Sequence, residues 1–182
     1  MPTYDTVAAA PAHVRWRTPR ATTGSPGVQN IESWLAEYGE SHQHPTNKLI
    51  HWVCVPAIVF SVIGLLWSLP VPAAFAQISP ALNWALLFAM AAIVYYFILS
   101  ISLGIGATLV LAALLLLADR LDGAALPLWA TSLAIFVLAW IGQFIGHRIE
   151  GRKPSFFKDL QFLMIGPLWL LAAAYRRAGI PY

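Results

Sequence analysis

The chain has 182 residues, enough for one domain. It is 59% hydrophobic and only 10% charged, with a formal charge of +3. Soluble chains carry about a quarter charged residues, so lipid must be the solvent for much of this one. Its small net charge argues against nucleic acid as a partner and fits a membrane orientation signal instead. The single cysteine, Cys54, excludes an internal disulfide and a cysteine-rich zinc or iron–sulfur site.

Residues 1–29 carry Pro, Ala, Thr, Gly and scattered Arg without an apolar run, and read as a disordered tail with no cleavable signal. Residues 30–182 read as a single membrane-embedded helical domain. Asn30 is a candidate cap for a short helix with Ile31, Trp34, Leu35 and Tyr38 on one stripe. Glu32, Glu37 and Glu40 lie off that stripe. Such a helix lies on the membrane surface or packs against the bundle. Gly39 and Pro45 then break it, leaving Ser41, His42, Gln43 and His44 in a loop.

Four apolar runs follow, over about 50–69, 81–99, 101–118 and 125–146. Each is near the ~20 residues that cross ~30 Å of hydrocarbon. Pro70, Pro72 and Pro80 punctuate the first connection, and Asp119, Arg120, Asp122 and Gly123 form the third. Only Ser100, Ser102, Gly104 and Gly106 separate runs two and three, which form a tight hairpin or one broken helix. A fifth run, about 160–174, is interrupted by Gly166 and Pro167 and is expected to be re-entrant or interfacial. The expectation is therefore an all-α polytopic bundle of about four transmembrane helices. An N-terminal amphipathic helix and a C-terminal re-entrant or interfacial helix complete it.

Arg15, Arg17, Arg20 and Lys48 precede the first span, and Arg148, Arg152, Lys153 and Lys158 follow the fourth. With four spans both groups share one side, which the positive-inside rule makes cytoplasmic. Arg176 and Arg177 agree if the fifth run does not cross. Both polar clusters of the chain then lie on that side, facing the cytoplasm from a bacterial inner membrane or a eukaryotic endoplasmic reticulum.

The first cluster is Tyr38, His42, His44, Asn47, Lys48 and His51, with Asn47 and His51 one turn apart on a common helix face. The second is Gln143, His147, Glu150 and Arg152, with the first three again on one face. Gly142 and Gly146 permit close helix approach beside them. Two histidine-bearing helix ends on one side can build a metal site, since imidazole suits Zn, Cu, Fe and Ni. Asn47, Gln143 and Glu150 are candidates to satisfy the second imidazole nitrogens. Lys48, Arg148 and Arg152 are headgroup anchors that also attract an anionic substrate. The plainer reading of each histidine is an interfacial side chain, and His13 in the tail has no role. The chain lacks a G-x-S-x-G elbow, an H-E-x-x-H pair and a Walker loop.

The run Trp34-Leu-Ala-Glu-Tyr-Gly-Glu-Ser-His-Gln-His-Pro-Thr-Asn-Lys-Leu-Ile-His51, followed by Pro56, resembles the opening signature of a family of small membrane proteins formerly classed as a domain of unknown function. That family includes the yeast endoplasmic-reticulum 2-hydroxy fatty acid dioxygenase of phytosphingosine breakdown. Gln143-Phe-Ile-Gly-His147-Arg-Ile-Glu150-Gly-Arg-Lys-Pro154 resembles its second signature. The resemblance covers about residues 31–175. It implies Fe(II)-dependent α-oxidation, in which a long-chain 2-hydroxy fatty acid and O2 give an acid one carbon shorter. By position it implies His42, His51 and His147 as iron ligands, with His44 or Glu150 as a further one. The position of His44 is often Asn in the family. The run ending at Tyr175 lacks an acidic residue found in some relatives. Substrate carboxylate and 2-hydroxyl would chelate the metal, so no separate 2-oxo acid is required. The rival readings are a bis-His haem protein using His51 and His147, and a non-catalytic lipid-binding or scaffolding protein.

Overall fold

A computed structural model describes residues 31–151 and 162–182. The expected tail, the proposed cap Asn30, His13, Arg152, Lys153 and Lys158 lie outside them. Among the described residues the structure is all helical. The helices are α1 (Ile31–Glu40), α2 (Pro45–Trp67), α3 (Ala73–Ile78), α4 (Trp84–Leu99), α5 (Ile101–Asp122), α6 (Leu128–Ile149) and α7 (Ile165–Ala178).

Three helices, α2, α5 and α6, are long and apolar enough to cross a membrane. The second apolar run is shorter than expected: α4 has 16 residues, about 24 Å at 1.5 Å per residue. Its missing length lies before Asn83, whose side chain accepts from Leu86 N–H and starts the helix there. The four still form an up-and-down bundle. Trp67 Nε1 donates to Asp122 Oδ2 at 3.3 Å, joining the far ends of α2 and α5, and Trp84 Nε1 donates to the Pro70 carbonyl at 3.0 Å, bringing the start of α4 there too. At Ser100, which is extended and caps α5 through its hydroxyl, the chain reverses into the tighter of the two expected arrangements. A Cβ at Gly104 would collide with Phe97, so this glycine is what lets the α4–α5 hairpin close. Val53, Leu109 and Leu138 are 66%, 68% and 68% exposed. Each such side chain in water forfeits roughly 1.5–3 kcal/mol of burial, and a lipid exterior removes that penalty.

Two prolines that look like breakers instead start helices. Pro45 is the first residue of α2, with His44 as its cap, and Pro167 sits in the first turn of α7. Neither position needs an amide donor. For that reason Gly166 and Pro167 initiate the last helix, where the sequence reading has them interrupt one. Likewise α3 occupies the Pro-rich connection, and α5 extends through Asp119 and Arg120.

Helix α7 does not traverse the bundle. Gly166 abuts Tyr38 and Val55, while near the other end Tyr175 Oη donates to the Ser102 carbonyl at 3.2 Å and Arg177 lies over the Trp52 ring. Both ends therefore lie on the half of the bundle that holds the start of α2. Helix α1 packs on α7 through buried Ile31, Leu35 and Tyr38, leaving Glu32, Glu37 and Glu40 exposed. Of its two expected placements, packing against the bundle is the one adopted.

Candidate metal centre

Helices α2 and α6 share the most extensive contact in the fold, and glycines set its closeness. A Cβ at Gly142 would strike Cys54 Sγ, and one at Gly146 would strike Asn47 Oδ1. This approach brings His51, one turn into α2, beside His147, near the end of α6. His42 enters from the loop after α1. The three are 2%, 1% and 8% exposed, and their ligand atoms all lie within 4.8 Å of one another. The rings cross steeply, at 78° for His42 and His51, 66° for His42 and His147, and 87° for His51 and His147.

Ring orientation is set by backbone carbonyls one turn earlier. His42 Nδ1 lies 2.6 Å from the Tyr38 carbonyl, and His51 Nδ1 lies 2.9 Å from the Asn47 carbonyl. A carbonyl only accepts, so each Nδ1 carries the proton and each Nε2 presents a lone pair. Those two Nε2 atoms face each other at 2.9 Å. Two lone pairs at that separation repel unless a cation lies between them. A proton is a poor candidate, because burial holds the His42 imidazole down to about 4, despite the Tyr38 carbonyl that favours its charged form; nearby His147 lowers it further. A metal ion fits. Two nitrogens about 2.1 Å from one ion stand roughly 3.0 Å apart at a right angle and roughly 3.4 Å apart at a tetrahedral angle. The 2.9 Å between the His42 and His51 nitrogens is close to these separations.

The second nitrogens of His42 and His51 therefore bond to main-chain oxygens and not to the side chains expected for them. Asn47, fully buried, donates through Nδ2 to Glu150 Oε2 at 2.9 Å. Glu150 also accepts from Gln43 N–H at 2.7 Å and His44 N–H at 2.9 Å. Partial burial opposes ionisation of this carboxyl, but the His44, Asn47 and Gln43 donors outweigh it and hold the carboxyl below its usual range. His44 is exposed and caps α2 through Nδ1, which accepts from Thr46 N–H at 3.2 Å. Both residues considered as further ligands, His44 and Glu150, thus lie outside the three-histidine cluster and hold its framework. Lys48 is half-buried and Arg148 exposed.

A cavity of about 50 Å³ opens on the three histidines, walled by Val55, Ile58, Trp140, Gln143, Phe162 and Leu163 among others. Gln143 is 6% exposed and its Oε1 has no hydrogen-bond partner, so it is an acceptor held ready on that wall. Tyr38 stacks on the His42 ring at 4.2 Å and 10°, and Trp169 of α7 leans on both rings at 5.5 and 5.6 Å. No local pattern singles out Trp169, which reaches the site only because α7 folds back. The histidine rings contact one another directly, so no porphyrin plane fits between His51 and His147. The haem arrangement is not supported.

The family model described as "Mpo1-like: 2-hydroxy-palmitic acid dioxygenase Mpo1-like" matches residues 28–178. The chain is 30% identical over 149 residues to the "2-hydroxy-palmitic acid dioxygenase MPO1" of Saccharomyces cerevisiae, covering 80% of this chain and 79% of that protein. No solved structure matches the chain.

Proposed function

This chain belongs to the Mpo1-like family, and from that premise we propose that it is a membrane-embedded, Fe(II)-dependent dioxygenase of long-chain 2-hydroxy fatty acids. With O2 as oxidant the bond between the carboxyl carbon and C2 is broken, so that each 2-hydroxy acid gives the acid one carbon shorter, CO2 and water. The observation that carries the metal reading is the pair of converging Nε2 atoms of His42 and His51, 2.9 Å apart in a buried site. His42, His51 and His147 would hold the iron. Three imidazole ligands would leave the ion open to further ligands such as substrate and O2. Bound Fe(II) supplies the redox-active centre at which O2 is activated and the substrate's carboxylate and hydroxyl chelate.

The chain's own residues prepare that chemistry. The Tyr38 and Asn47 carbonyls fix which nitrogens point inward. Gln143 Oε1 accepts a hydrogen bond from the substrate hydroxyl, gaining the partner it lacks. Lys48, with Arg148 on the same helix end as His147, neutralises the carboxylate during approach, and Arg152, which follows in the sequence, is proposed to share that role. Tyr38, Trp140 and Phe162 line the cavity and exclude water from the reacting head. The site faces the cytoplasm, from the inner membrane of a bacterium or the endoplasmic reticulum of a eukaryote.

Metal analysis of protein purified without added metal or chelator tests the assignment. Iron near one equivalent is expected. Stoichiometric zinc without iron would point to hydrolytic chemistry, and absence of bound metal would favour a lipid-binding protein.

A further inference from the structure

A second cavity of about 60 Å³ lies deeper in the bundle, between α2, α4, α5 and the start of α7. Ile58 and Leu163 line both it and the histidine cavity. The two spaces thus adjoin at these two aliphatic side chains. Beyond that shared wall lie Val62, Ala92 and Leu111, and Tyr96 alone in the lining carries a polar group. Ala92, Tyr96 and Leu111 are 3%, 4% and 5% exposed, so this part of the lining is turned away from the lipid-facing exterior.

We propose that the deeper cavity is the acyl-tail site of the substrate, entered from the histidine cavity past Ile58 and Leu163, and that Ala92 and Val62 set the preferred chain length. This rests on the proposed 2-hydroxy acid reading. An apolar space adjoining a polar, metal-binding head site across two shared side chains matches an amphiphile with a chelating head and a saturated tail. Its depth also fits. From His51 to Val62 is eleven residues of α2, about 16 Å of helix at 1.5 Å per residue. An extended alkyl chain, with bonds near 1.52 Å and angles near 111°, advances about 1.25 Å per carbon, so roughly thirteen carbons reach that depth. The spaces are narrow, and rotation of Ile58 and Leu163 admits an extended chain.

Ala92 has the smallest side chain on the deep wall, so Ala92→Phe closes it, while Val62→Ala deepens it. The full chain in detergent is irradiated with a 2-hydroxyhexadecanoic acid carrying a diazirine near its tail end. Labelling of the segments containing Ala92 and Leu111, competed by the unmodified acid, is expected. Ala92→Phe should abolish it, and Val94→Phe on the exposed face of the same helix should not. In turnover, Ala92→Phe should shift preference at least tenfold towards 2-hydroxydodecanoic acid, and Val62→Ala should shift it towards longer acids. Turnover with label confined to outward-facing residues, or a length preference unchanged in both variants, overturns the tail site and leaves the proposed reaction standing. Inner labelling without turnover supports the tail site and rejects the reaction.

Discussion

Asn47 and Glu150 are joined by a 2.9 Å hydrogen bond between the start of α2 and the end of α6. His51 lies one turn after Asn47, and His147 one turn before Glu150. The bond therefore fixes the separation of two helices that each carry one proposed ligand. It also explains why Gly146 has no side chain: any Cβ there would displace Asn47.

Breaking this clamp should weaken the metal site without removing a ligand. Glu150→Ala leaves the Gln43 and His44 amides and the Asn47 side chain without their charged acceptor. A loss of roughly 1.5–3 kcal/mol of stability is expected, together with a 10- to 100-fold fall in metal affinity. Metal titration of the folded variant checks it. Affinity equal to wild type would show that the helix ends are held by other contacts.

The three histidines should separate cleanly from the other two. His51→Ala and His147→Ala should each lose bound metal, and His13→Ala should keep it. His44→Ala should also keep it while costing about 1 kcal/mol as a lost cap. Elemental analysis and thermal melts distinguish the cases. Full metal occupancy in His147→Ala would remove that residue from the ligand set.

Acid should destabilise the metal-free protein through His42. Burial puts its folded value at about 4, below the ~6.5 of an exposed histidine. Between these values the unfolded chain binds the extra proton, so stability is complete above about 6.5 and is lost as pH falls towards 4. The full contribution is roughly 3 kcal/mol. Unfolding of metal-free protein across this window should be less pH-dependent in His42→Gln. An unchanged slope would place the titration elsewhere.

Topology can be read by labelling single cysteines in a Cys54→Ser background. Gln77→Cys, in α3, and Glu40→Cys, at the end of α1, lie at opposite ends of the bundle and are exposed. They should react from opposite sides of a sealed vesicle, with Glu40→Cys on the cytoplasmic side. Reaction of both from one side would contradict the four-pass arrangement.

Much of this was readable in the chain because hydrophobic length, proline and glycine act locally. The apolar runs located α2, α5 and α6, and the Asn47/His51 and Gln143/His147 spacings marked two helix faces. What failed was non-local or context-dependent. Nothing in the sequence shows whether Pro167 ends one helix or begins another. Spacing alone does not tell whether Glu150 meets an imidazole, a metal or a neighbouring donor. Only the approach of α6 to the start of α2 shows that Gln43, His44 and Asn47 claim its oxygens first. Trp169 has no local signature at all.

Turnover by iron-loaded protein tests the central claim most directly. The protein is incubated with O2 and either a long-chain 2-hydroxy acid or the matching acid without the hydroxyl, and products are identified by mass. The hydroxylated acid should be shortened by one carbon, and the other should remain, because without its hydroxyl it lacks half of the chelating head. Equal turnover of both acids would contradict chelation by the head, and no turnover of either by folded, iron-loaded protein would contradict the proposed function.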